Sequence, residues 1–297
     1  MNLPSVRWME AGAERRAAWR SEGALNPPAR VDVVDDTLTA DRAFRLANEG
    51  TALLWRGDFQ NARQLLNALA RRLDQRAAAH GKSPATFDLP LHAETYHRHR
   101  MQQAQRARAL GRLLVPLGAD YTIPLGRAPD VRAACTEAFG APGVTEPESL
   151  ISLRELLGLI GAHEWRKKGV EVPALNGRIH PHYAVFAPIR SEYVGLLADA
   201  AWPEDGPPQI AFDIGTGTGV WAAVLAKRGI ARVLATDLDA RALACARENV
   251  ERLGFTAQVE MLQADLFPSG RADLIVCNPP WLPGKPSSRM EAAIYDP

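Results

Sequence analysis

From Gln209 onward the chain alternates strand and helix, and no other sequence feature constrains its fold more. The run Gln209–Asp213 is apolar and ends in a carboxylate. A glycine-rich turn follows, then a helix over 219–228 that Gly229 stops, then a strand over 232–236. Asp239 caps a second helix, whose Leu243, Ala246, Val250 and Leu253 share one face and which Gly254 ends. Segments 258–262 and 272–276 read as two further strands. Parallel neighbours need crossover connections, so this spacing predicts a parallel α/β sheet with helices on both sides.

The first strand runs into Asp213-Ile214-Gly215-Thr216-Gly217-Thr218-Gly219. Glycines there let the backbone turn tightly and let a ligand approach it, beside the unpaired N–H groups of a helix start. A Gly-rich turn by itself also has a plain structural reading. A dinucleotide fingerprint wants a glycine where Val220 stands, and a phosphate loop wants a lysine where none occurs before Lys227. Asp213 would repel a pyrophosphate and suits a ligand carrying an amine or a cation.

Acids recur at the strand ends. Asp237, followed by Leu238, is placed to accept two hydrogen bonds from ribose hydroxyls, and Asp265 in Ala264-Asp265-Leu266 to accept one from an exocyclic amine. Each alone reads as a turn or cap residue; together they mark the carboxyl edge of a parallel sheet, where such sheets bind ligands. The fourth strand leads into Cys277-Asn278-Pro279-Pro280-Trp281. The Asn278 side chain and the Pro279 carbonyl offer two acceptors, the prolines stiffen the loop, and Trp281 offers a stacking face. Two converging acceptors hold both hydrogens of a planar NH2 group. The alternative is a rigid surface turn.

On AFDIGTGTG the chain resembles the class I S-adenosylmethionine-dependent methyltransferases. On Asn278-Pro279-Pro280-Trp281 it looks like their amino-methylating members, which carry N-P-P-aromatic: release-factor glutamine methyltransferases, adenine-N6 methyltransferases and the small methyltransferase group. The match covers about residues 180–297. It implies a Rossmann-like sheet and S-adenosylmethionine as methyl donor, without a metal. Asp213, Gly215, Thr216, Gly217 and Gly219 would hold the cofactor's amino-acid part, Asp237 the ribose, Asp265 and Leu266 the adenine, with Leu238 and Asn278 as further cofactor contacts. Asn278, with Pro279, Pro280 and Trp281, would form the catalytic acceptor corner. Trp281 stands where the glutamine-specific version has Tyr. The family sheet has seven strands and only four are found here, so the fourth strand would have a bare edge. The expectation is a truncated chain, or a partner chain or the N-terminal region covering that edge.

Residues 1–168 read as a helical N-terminal domain, a candidate for substrate recognition. Phe59, Ala62, Leu65, Leu66, Leu69 and Leu73 lie at helical spacing, as do Leu150, Leu153, Leu156, Leu157 and Ile160 after Pro147. Segment 169–208 reads as a hairpin around Asn176-Gly177, with Pro173 and Pro181 in edge strands, followed by a helix over 191–201. The resemblance implies that segment 182–193 lies over the cofactor mouth, with Arg190 and Glu192 as candidates there. Stretch 71–112 is basic and suggests a nucleic-acid track or a solvated helix face; His92, His97 and His99 within it carry no further sign of a metal site. Lys285 and Arg289 would meet an acidic substrate or solvent.

The net charge is only +1, so bulk charge does not select a polyanion or a membrane. Three scattered cysteines form no CxxC pair, which fits a reducing cytoplasm. Three readings compete: methyl transfer to a nitrogen of an RNA or DNA base or of a protein glutamine, with a base slightly favoured; a non-catalytic binding module; and a nicotinamide dehydrogenase, which the missing glycine disfavours. The sequence does not assign an oligomeric state.

Overall fold

The computed structural model describes residues 3–22, 25–79, 93–143, 148–187, 192–202, 206–280, 282–283 and 295–296. They form two compact units, Met1–Ile160 and Gly161–Pro297, so residues 169–208 belong to the second unit.

The first unit is not a helical domain. It holds β1 (Ser5–Glu10), β2 (Ala13–Arg20), β3 (Val31–Val34), α1 (Ala40–Asn48), β4 (Ala52–Trp55), α2 (Phe59–Ala79), α3 (Ala93–Leu110), β5 (Leu113–Leu117), α4 (Arg132–Phe139), β6 (Ser149–Ser152) and the start of α5 (Leu153–Lys168). The strands form one mixed sheet in the order β1-β2-β6-β5-β4-β3. The physical reason for the misreading is length. β4, β5 and β6 are runs of four or five residues buried at every position, and such runs have no period to separate strand from helix. Leu150 shows it: it lies in β6, paired with Trp19 and Pro116, and the helix begins only at Leu153. The helix over Phe59–Leu73 is present as α2, with Phe59 and Ala62 fully buried.

In the second unit, β7 (Val170–Val172) and β8 (Gly177–Ile179) pair as an antiparallel hairpin. Pro173 opens a 3-10 turn between them, and of the Asn-Gly pair only Asn176 takes a positive φ, +51°. Next come α6 (Glu192–Asp199), β9 (Ile210–Ile214), α7 (Val220–Lys227), β10 (Arg232–Asp237), α8 (Ala240–Arg252), β11 (Val259–Gln263) and β12 (Leu274–Cys277). The sheet is parallel, in the order β11-β10-β9-β12. Neighbours lie on both sides of β9, so the order reverses there and a crevice opens at its carboxyl end. Alternation divides the side chains. Ala211, Val233, Ala235 and Val276 pack with α7 and α8, while Phe212, Ile214 and Leu234 form a cluster of their own. The Asp239 side chain accepts from the Arg241 N–H, the cap expected for α8. Among the described residues β12 is an edge strand, with Ile275 half exposed. Residues Leu282–Pro283 and Tyr295–Asp296 form a separate short pair, β13 with β14.

Candidate methyl-donor site

The turn after β9 is built from alternating left-handed glycines, Gly215 at φ +70°, Gly217 at +54° and Gly219 at +78°. It is pinned to β10, because the Thr216 N–H donates to the Thr236 carbonyl at 2.8 Å. The glycines serve different ends. A Cβ on Gly215 would meet nothing within 4 Å, and the space above it belongs to a cavity. A Cβ on Gly219 would lie 3.0 Å from Ala246 Cα in α8, and Gly219 does not line that cavity. The close approach of α8 is a packing constraint on this glycine, separate from the ligand contact expected of it. We expect Gly219→Ala to cost about 1–3 kcal/mol, read as a lowered midpoint in urea unfolding, because it adds both a clash and backbone strain.

The cavity has a volume of about 410 Å³ and sits at the carboxyl ends of β9, β10 and β12. Asp213 forms its floor and is 2 % exposed. Its Oδ2 accepts from the Thr216 hydroxyl at 2.6 Å and the Ala222 N–H at 3.0 Å. Burial nevertheless pushes its pKa up to about 6, with the Asp237 charge adding to the rise. Its ordinary value is 3.8, so the folded chain holds this proton more tightly than the unfolded one. The apo protein therefore gains stability from this group as the pH falls from about 6 toward 4, and bears the full cost of the buried charge above 6. A cationic ligand needs the ionised form. We expect its affinity to fall about tenfold for each pH unit below 6, as titration calorimetry at pH 7.5, 6 and 5 would show.

Asp237 is half-buried. One carboxylate oxygen accepts from the Gly217 N–H at 3.0 Å and the other from the Asp239 N–H at 2.9 Å. Each oxygen keeps lone pairs for a ligand, as the ribose expectation requires. Leu238 and Leu266 also line the cavity although both are more than half exposed. Leu266 stands at φ +65°, and its carbonyl accepts from the Thr236 hydroxyl at 2.7 Å. Ala264 and Leu266 line the cavity, whereas Asp265 between them is exposed and lies outside the lining.

On the β12 side the lining includes Cys277, Asn278, Pro279 and Pro280. Asn278 is exposed and its side chain makes no hydrogen bond among the described residues, so its acceptor is unspent. Burial, and then Asp213, raise the Cys277 pKa. Trp281, Lys285, Arg289, Arg190 and His92 lie outside the described residues, as do the side chains of His97 and His99. Glu192 begins α6 and does not line the cavity. The described lining carries three carboxylates, Asp213, Asp237 and Asp239, and no Lys, Arg or His. That field repels phosphate and favours a cation.

The glycine turn, the three acids and the asparagine corner thus share one cavity. Residues 197–294 match the methyltransferase small domain. Similar proteins include the release factor glutamine methyltransferase of Cereibacter sphaeroides, 38 % identical over 36 % of this chain and 40 % of that one. The tRNA1(Val) (adenine(37)-N6)-methyltransferase of Glaesserella parasuis is 38 % identical over 32 % of this chain and 41 % of its own. The ribosomal protein L11 methyltransferase of Pelotomaculum thermopropionicum is 42 % identical over 24 % of each. The chain therefore spans less than half the length of these relatives. The class I methyltransferase resemblance and the α/β Rossmann-like sheet both stand.

The cavity also draws on residues that motif reading did not assign. Trp221 is the second residue of α7 and Tyr193 lies in α6, their rings edge-on at 5.9 Å. Ala184, Val185 and Phe186 supply a further wall, in the segment expected over the mouth. None lies in a motif, and apart from Trp221 they fall within segment 182–193, which the resemblance places over the mouth. Among the described residues no group of three His, Cys, Asp or Glu is placed to hold a metal ion, and no helix is long and apolar enough to cross a membrane.

Proposed function

We propose that this chain transfers a methyl group from S-adenosylmethionine to a planar nitrogen, on a nucleic-acid base in preference to a protein glutamine. The observation that carries the reading is a cavity with three carboxylates and no described cation, which has the Asn278-Pro279 corner in its own wall. The residues fit the cofactor. Asp213 and the turn over Gly215, Thr216 and Gly217 would take its amino-acid end, Asp237 its ribose, and Leu238 and Leu266 the faces of its adenine. When bound, it supplies an electrophilic methyl carbon on a sulfonium.

The chain's own residues do the rest. Asn278 and the Pro279 carbonyl accept from the acceptor's NH2 group, which orients its lone pair. An acceptor nitrogen held this way would become cationic on methylation and lose its surplus proton to water, so no strong base is needed among the chain's residues. The preference for a base rests on the basic stretch 71–112 and on Trp281 as a stacking face. The names of the relatives include both an adenine and a glutamine acceptor.

Methyl-labelled cofactor added to a cell extract with this protein, followed by separate nuclease and protease digestion, tests the reading. We expect label released by nuclease. Release by protease alone would transfer the assignment to glutamine. A second reading, a binding module without catalysis, is favoured by the place of β12 at the sheet edge among the described residues; binding of S-adenosylhomocysteine with no transfer to either digest would support it.

A further inference from the structure

The wall formed by residues 184–186 belongs to a strap, residues 180–187, that lies along one stripe of α8. Arg241, Cys245, Glu248 and Asn249 recur at helical spacing on that stripe, and each holds the strap. Arg241 Nη1 donates to the Tyr183 carbonyl at 3.2 Å. The His182 N–H donates to Cys245 Sγ at 3.3 Å. The His182 ring Nε2 meets Glu248 Oε2 at 2.9 Å, and Arg166 Nη2 reaches the same oxygen at 3.0 Å. Asn249 is fully buried. Its Oδ1 accepts from the His180 N–H at 2.8 Å, while its Nδ2 donates to the Thr218 carbonyl at 3.0 Å. One side chain thus ties the strap to the glycine turn, two walls of one cavity.

None of Glu248, Asn249 and His182 lines the cavity. We propose that they are positioning residues that set cofactor affinity by fixing the strap against α8. The strap has no ladder of its own: it follows β8, and its Ala184 takes φ +61°. A segment without regular hydrogen bonds holds one conformation only if side chains fix it, and here one face of α8 supplies them. The inference rests on the cavity being the cofactor site.

The test uses the full chain and S-adenosylhomocysteine as probe. Calorimetry compares the parent with Glu248→Ala and Glu248→Gln, alongside amide hydrogen exchange of each protein without ligand. Glu248 is 41 % exposed, so its loss spares the core. Glu248→Ala is expected to weaken binding about fivefold and to speed exchange at 182–186 while the amides of β9 and β10 stay protected. Glu248→Gln keeps an acceptor for His182 and is expected to recover most of the affinity. Unchanged affinity in Glu248→Ala, or weakened affinity with the strap amides as protected as in the parent, would overturn the inference. No binding by the parent would instead refute the cofactor reading, and this inference with it.

Discussion

Replacing Asn278 with alanine is expected to lower methyl transfer by about 100-fold or more while leaving affinity for S-adenosylhomocysteine within about threefold. The side chain is exposed at the end of β12 and holds no partner among the described residues, so its removal leaves no buried group unsatisfied. Stability should stay within about 0.5 kcal/mol of the parent, as for surface positions generally. What is lost is one of two acceptors that orient the incoming NH2 group, an interaction that strengthens as the nitrogen gains positive charge. Single-turnover kinetics at saturating cofactor, with calorimetry in parallel, separates the two effects. Weakened binding with unchanged turnover would remove Asn278 from the acceptor corner.

Asp213→Asn is expected to act in opposite directions on stability and on binding. The ionised carboxylate is held in a dry site, and a pKa of about 6 against an ordinary 3.8 corresponds to about 3 kcal/mol of disfavoured charge at neutral pH. The neutral amide carries no such charge, and its oxygen remains able to accept from Thr216 and Ala222. The apo variant should therefore be more stable than the parent by about 1–2 kcal/mol at pH 8. That gain should vanish near pH 4, where the parent's carboxyl is protonated. Binding should weaken by about 100-fold, because the partner for the ligand's ammonium is gone. Urea unfolding at pH 8 and pH 4 with calorimetry at pH 8 checks all three statements. A variant that binds as the parent does would show that Asp213 has only a structural role. Under the proposed function, binding retains a buried charge that folding alone would discard.

How much could be read in advance varied along the chain for physical reasons. Asp213, the glycines, Asp237 and Asn278 stand at the carboxyl ends of strands β9, β10 and β12, and parallel pairing brings those ends to one edge. The Asp239 cap and the Gly254 stop were legible because capping is local chemistry. Asp265, expected at the adenine, is exposed between two lining residues and beside the left-handed turn at Leu266, a placement that strand-end position alone does not specify. Gly219 was grouped with the ligand turn because a glycine required by a neighbouring helix and one required by a ligand look alike in sequence. The first unit was misread because β4, β5 and β6 are short runs buried throughout.

The sequence by itself determined the parallel sheet and the positions of the glycine turn, Asp213, Asp237 and the Asn278-Pro279 corner at its carboxyl edge, since each follows from periodicity or from residue chemistry within a few positions. Only the tertiary structure decided that the first unit is a sheet, that Trp221 and Tyr193 join the cavity, and that α8 holds the strap through Glu248 and Asn249. Those outcomes depend on contacts between residues far apart along the chain. Such contacts are selected when apolar surface is buried and backbone polar groups find partners, and no local pattern encodes that selection.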